Sequence, residues 1–105
     1  MVKILDEKEF KKVESSDKVS ILDFSAIWCS PCKVLKPAFE TISKEMKDFD
    51  FYEVDVDKEQ KLAHKFGVMS VPTIVVLKKG MELGRINGFS GKDKLKREIL
   101  ARAKR

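Results

Sequence analysis

Cys29 and Cys32 are the only cysteines in the chain, and two residues separate them. Thiols at this spacing can form a permanent staple, supply half of a metal site, or act as a dithiol that opens and closes. The surrounding residues bear on the choice. Val19 to Phe24 is a mostly apolar run of strand length, and Val34, Leu35, Ala38, Phe39, Ile42 and Met46 recur at helical spacing, so the stretch Phe24 to Lys33 is where a strand hands over to a helix. Cys29 then falls at a helix N-terminus, where unpartnered backbone N–H groups and the positive end of the helix dipole favour an anion. A thiolate is such an anion. Free cysteine titrates near pH ~8.5, and this position lowers that value and makes the sulfur a nucleophile near neutrality.

Residues three apart on a helix have β-carbons about 5–6 Å apart, and a small adjustment in the first turn brings two sulfurs into bonding range. As a staple, so short a ring contributes only roughly 2 kcal/mol in the loop-entropy model. A zinc site commonly needs four protein ligands. The chain has no second cysteine pair, and its single histidine, His64, belongs to a separate helical segment. The reversible dithiol is the better reading, and no metal is expected.

At 105 residues the chain is expected to form one domain, residues 1–105, with a single core that needs no cross-links. Its 43% hydrophobic and 37% charged residues describe a water-soluble globular protein. No run approaches the ~20 apolar residues of a membrane span, and Met1 to Lys8 contains no signal-peptide core, so the expected compartment is cytoplasmic. In that compartment a two-cysteine motif is catalytic or metal-binding more often than structural. The net charge of +5 is uneven: residues 1–91 carry 15 basic and 15 acidic side chains, while residues 92–105 carry 7 and 2. The tail reads as a helix with Leu95, Ile99, Leu100 and Ala103 inside and Lys92, Lys96, Arg97, Arg102, Lys104 and Arg105 largely outside. Without an aromatic residue in it to stack on bases, it reads as a solvated face, and no nucleic-acid partner is expected.

The elements that must position the cysteines follow from local signals. Asp6 and Glu9 have capping-box spacing, with Leu5 and Phe10 as a hydrophobic staple, for a helix over about Asp6 to Glu14 after a short edge strand at Lys3 to Leu5. Val19 to Ala26 is apolar on both faces, which places it in the sheet centre and leaves Asp23 as a carboxyl inside the core. A helix over Pro31 to Lys47 contains Pro37, which predicts a kink near Lys33 to Lys36. Phe49 to Asp55 is the next strand. Asp57 and Gln60 are spaced to cap a short helix that Gly67 closes. Thr73 to Leu77 is a strand, Lys79-Gly80 a turn, and Met81 to Asn87 an edge strand interrupted by Gly84. Ser90 is placed to cap the last helix. The order β, α, β, α, β, α, β, β, α predicts an α/β fold with a mixed sheet and helices on both faces. His64 is expected at the surface and the four methionines mostly as core filling.

Trp28-Cys29-Ser30-Pro31-Cys32-Lys33 after a strand bearing Asp23-Phe24, with a later Val71-Pro72-Thr73, closely resembles the thioredoxin family over nearly the whole chain. The resemblance implies the three-layer thioredoxin-like fold, a central mixed five-stranded sheet flanked by four helices. It implies a protein-disulfide reductase that needs no bound cofactor and is recharged by an upstream, thioredoxin-reductase-like donor. It assigns Cys29 as the nucleophile, the more exposed of the two, and Cys32 as the resolving thiol. Asp23 becomes the group that takes and returns the Cys32 proton, in keeping with a buried carboxyl whose pKa is raised. Trp28, Val71, Pro72 and Gly88 become the surface that receives substrate, with the Val71–Pro72 bond cis. The motif departs from the family in Ser30, usually Gly, and Ser25, commonly aromatic, while Pro31 goes with the reducing members. Relatives often carry Lys on the strand beside the buried acid, where this chain has Glu53. Disulfide-containing proteins are the expected substrates of what is taken to be a monomer. A noncatalytic binding module, or a disulfide oxidase or isomerase, are the alternatives.

Overall fold

The computed structural model describes residues 1–104; Arg105, expected on the outer face of the last helix, lies outside the described residues. The elements are β1 (Val2–Ile4), α1 (Glu7–Ser15), β2 (Ser20–Ser25), α2 (Ser30–Glu45), β3 (Asp50–Asp55), α3 (Gln60–Lys65), β4 (Thr73–Lys78), β5 (Met81–Asn87) and α4 (Lys92–Ala103). They form one five-stranded sheet in the order β1-β3-β2-β4-β5. β3 pairs in parallel with both β1 and β2, whereas β4 runs antiparallel to β2 and β5. The four helices sort onto the two faces, giving the three layers expected.

β2 is central because its residues leave it no solvent face: all six are buried. Alternation along the strand sends Ile21 to one side, where it joins Leu35, Phe39 and Ile42 of α2 and Leu95 and Ile99 of α4. Leu22 and Phe24 go to the other side, with Phe10 and Val13 of α1 and Leu62 of α3. Asp23 shares the Ile21 face and therefore points into the layer that holds the cysteine-bearing helix. In that layer Phe39 meets Phe51 edge-on, with centroids 5.3 Å apart, and truncating either ring in so tight a core costs about 3–5 kcal/mol.

Local signals were followed closely at some ends and not at others. Asp6 caps α1, its Oδ1 accepting from Glu9 N at 2.8 Å. Asp57 does not cap α3, which begins after Glu59 with no side-chain cap. Asp55 holds that turn instead, its Oδ1 accepting from the N–H groups of Asp57 and Lys58. Ser90 likewise leaves α4 uncapped, the helix starting from Gly91. α2 continues through Pro37 as one helix.

Packing corrects three expectations. Of the four methionines only Met46 is buried, while Met1, Met69 and Met81 are exposed. Val34, counted with the helical stripe of α2, is exposed, because one turn of helix offers only about 100° to the sheet and Leu35 takes it. Arg102 folds back over β5 to donate from Nε to Arg85 O at 2.9 Å. Gly84 makes room for it: a β-carbon there would sit 2.8 Å from Arg102 Cγ.

Candidate active site

The strand end of β2 and the start of α2 are joined by Ala26 to Cys29, so the two cysteines stand beyond the C-terminal end of the central strand, where several chain segments meet. Cys29 is the N-cap of α2 and Cys32 lies in its first turn. The two are joined as a disulfide, with Cα atoms 5.3 Å apart. Cys29 Sγ accepts from the Cys32 backbone N–H at 3.2 Å, the cap position that stabilises a sulfur anion once the bond is opened. Ser30 and Pro31 occupy the first two helical positions, where a missing N–H on proline leaves no bond unmade. Lys33 follows them on the exposed side of α2.

Cys29 was expected to be the more exposed thiol. The structure buries the two alike, at 4% and 5% exposure. The reason is the loop before β4, which folds over the pair: Cys29 Sγ lies 3.7 Å from Val71 O, forty-two residues along the chain. The Val71–Pro72 bond in this loop is cis. Pro72 O accepts from Gly88 N at 2.9 Å, and Thr73 Oγ1 donates to Ser70 O at 2.7 Å with Asn87 Oδ1 3.1 Å away. These bonds tie the proline loop to the end of β5. Gly88 has φ +79°, which favours glycine, and among the described residues no atom beyond its chain neighbours lies within 4 Å of where its β-carbon would be. The pair, Val71, Pro72 and Gly88 are thus linked contact by contact, with Val71 and Gly88 partly exposed and Pro72 buried beneath them. Trp28 is 69% exposed beside Cys29.

A residue read as a helix cap proves to belong here: Asp57 Oδ2 accepts from Trp28 Nε1 at 2.9 Å. No local pattern signals this, since the partners are twenty-nine residues apart.

Asp23 is 1% exposed, and its Oδ1 has no hydrogen-bond partner among the described residues. Burial pushes this carboxyl up to about 8; the neighbouring Glu53 carboxylate adds to the rise and the Lys36 ammonium opposes it. Glu53 stands across the parallel β2/β3 pairing from Asp23. Its Oε1 is 3.9 Å from Lys36 Nζ, and its Oε2 accepts from Ser25 Oγ at 3.4 Å.

His64 is exposed, and no group of three or more His, Cys, Asp or Glu side chains among the described residues could hold a metal. No helix among them is long and apolar enough to cross a membrane.

A disulfide between helix cap and first turn, roofed by the Val71 carbonyl, is the site of a thiol-disulfide oxidoreductase. Comparison with known proteins names the family. The thioredoxin family model matches residues 1–101. The thioredoxin of Callithrix jacchus is 40% identical over 94% of this chain and 96% of its own length. A mitochondrial thioredoxin of Schizosaccharomyces pombe is 47% identical over 70% of this chain, which spans 56% of that longer relative. The crystal structure of Malassezia sympodialis thioredoxin superposes with a TM-score of 0.87 at 35% identity, covering 97% of this chain and 93% of that one. The chain belongs to the thioredoxin family. Protein disulfides as substrates and a reductase as partner come with that membership.

Proposed function

We propose that the chain reduces protein disulfides with Cys29 as nucleophile and Cys32 as resolving thiol. The observation that carries this reading is the placement of Cys29 Sγ, which receives the Cys32 N–H at the positive end of α2 and faces the Val71 carbonyl. A thiolate is stabilised there and is presented to the loop that a substrate strand would line. Cys29 attacks a substrate sulfur, forming a mixed disulfide; Cys32 then attacks Cys29 and the second substrate thiol leaves. Asp23 receives the Cys32 proton in that second step and returns it when the pair is recharged, which suits a carboxyl poised near neutrality.

Trp28, Val71, Pro72 and Gly88 form the surface that receives the substrate. Ser30, Pro31 and Lys33 shape the first turn of α2 and with it the pair's potential. The chain works as one domain and as a monomer, in the cytoplasm, with no metal or bound cofactor and no nucleic-acid or membrane partner. Its electrons come from a thioredoxin-reductase-like donor. The test is insulin reduction by the intact protein alongside its single cysteine-to-serine variants: turnover is expected from the native pair alone, and undiminished turnover in Cys29→Ser would overturn the assignment.

A further inference from the structure

One cavity reaches the buried acid and another the resolving thiol, and the two share part of their walls. The smaller, about 100 Å³, is lined by Asp23 together with Val2, Ile4, Lys36, Phe39, Glu40 and Glu53. The larger, about 400 Å³ and more open, has Cys32 and Ser25 in its wall, with Lys36 and Glu53 again. Asp23 does not line the larger and Cys32 does not line the smaller. Of the described charged residues, Lys36 and Glu53 alone line both.

We propose that Glu53 carries the proton between Cys32 and Asp23, standing between the two cavities as the relay of the resolving step. This rests on the reading of Asp23 given above and supplies its route. Glu53 is placed for it by the sheet: it is the parallel register partner of Asp23 and projects to the same face. Its side chain is 17% exposed, enough to meet water and too little to swing away. Ser25 and Lys36 hold one carboxylate oxygen each. Asp23, in contrast, has an oxygen buried without a partner. The charged groups facing it are Glu53 from β3 and Lys36 and Glu40 from α2; β4 presents Ile74, and β1 presents Val2 and Ile4. Both cavities are wide enough for water, so each transfer needs only a short water bridge.

In a mixed disulfide whose Asp23 is ionised, the Cys32 Sγ–H proton passes to the Glu53 carboxylate and on to the Asp23 carboxylate. The electron pair left on Cys32 Sγ forms the bond to Cys29 Sγ. The bond from Cys29 to the substrate sulfur breaks, its pair leaving on that sulfur, which takes a proton from solvent. The dithiol has then given up two electrons and the substrate disulfide has become two thiols, with the Cys32 proton stored on Asp23. When an external dithiol reopens the pair, Cys32 departs as thiolate and recovers the proton by the same route.

The relay and a purely electrostatic role for Glu53 predict opposite signs. Glu53 raises the Asp23 pKa. As a bystander charge its loss leaves more Asp23 ionised at pH 7, and resolution speeds up. As the relay its loss slows resolution despite that ionisation. The experiment is rapid-mixing kinetics of resolution from a preformed mixed disulfide, from pH 6 to 9, in Glu53→Gln, Glu53→Asp and Asp23→Asn. Glu53→Gln is expected to be about tenfold slow at pH 7, short of the ~10²-fold low end for losing a general base itself. Added formate, small enough for the larger cavity, is expected to restore the rate of Glu53→Gln, and Glu53→Asp to retain most of it. Resolution by Glu53→Gln at the native rate or faster, or a slow variant that neither formate nor Glu53→Asp restores, overturns the relay. If Asp23→Asn is slow in the same series, only the relay has failed. If Asp23→Asn resolves at the native rate, the proton role of Asp23 falls and the relay falls with it.

Discussion

Trp28 Nε1 donates a 2.9 Å hydrogen bond to Asp57 Oδ2, which joins the residue preceding Cys29 to the turn after β3. The indole stands 69% exposed, so little packing holds its orientation and this bond limits its swing. Asp57→Ala is expected to leave stability within about 1 kcal/mol, as for an exposed hydrogen bond. The cost should appear in docking: a KM for protein disulfides raised several-fold with kcat little changed, and a shifted indole N–H resonance. An unmoved KM removes Trp28 orientation from substrate recognition.

Asp23 ties stability to pH. In the unfolded chain it ionises near pH ~3.9. In the folded protein it keeps its proton to about 8. Between those values the folded state binds the extra proton, so this group's contribution to stability falls as pH rises and levels off above 8. Asn carries no such proton. The stability gain of Asp23→Asn should therefore be near zero at pH 4 and grow to at most about 4 kcal/mol at pH 7, at 1.36 kcal/mol per unit. Denaturant midpoints of the oxidised protein and variant across this range measure it, and a gain independent of pH would refute the raised carboxyl.

The cysteines should separate in reactivity despite equal burial. In the reduced protein, Cys29 is expected to alkylate at an appreciable rate below pH 8 while Cys32 stays slow, since only Cys29 caps α2. Equal rates would count against the assigned roles.

Cys32→Ser is expected to retain attack and lose release, accumulating as a mixed disulfide with substrate, because a serine hydroxyl is far too weakly acidic to resolve it. Cys29→Ser should trap nothing. Mass spectrometry before and after added reductant reads both, and an adduct on Cys29→Ser alone reverses nucleophile and resolver.

Gly88 has open space where a side chain would stand, so under the proposed docking role bulk there meets the partner rather than the fold. Gly88→Val places a β-branched residue at φ +79°, which costs roughly 1–2 kcal/mol. It should also raise the KM for protein substrates while alkylation of Cys29 by a small reagent stays unchanged. A loss of both together would point to damage at the pair itself.

Much of this was legible in the chain before folding. The cysteine pair at a strand-to-helix junction, the Asp6 cap, the buried central strand with Asp23 in it and the alternation of strands and helices all come from signals that span a few residues. Hydrophobic period, a cap three residues from its N–H and the φ limits of glycine are settled by near neighbours, so the sequence by itself determined them. Other features depend on which distant segments the chain path brings together. Asp57 has the spacing of a cap, yet it serves Trp28, and Asp55 takes the turn. Cys29 is no more exposed than Cys32, because the Val71 loop arrives from forty-two residues away. Met69 and Val34 are apolar and face water, since neither the proline loop nor the outer side of α2 has sheet against it. Glu53 is one acidic residue among many until β3 pairs with β2 in parallel and sets it beside Asp23. A carboxyl's acidity, a sulfur's cover and a side chain's partner are fixed by what surrounds them in space, and only the tertiary structure decided that.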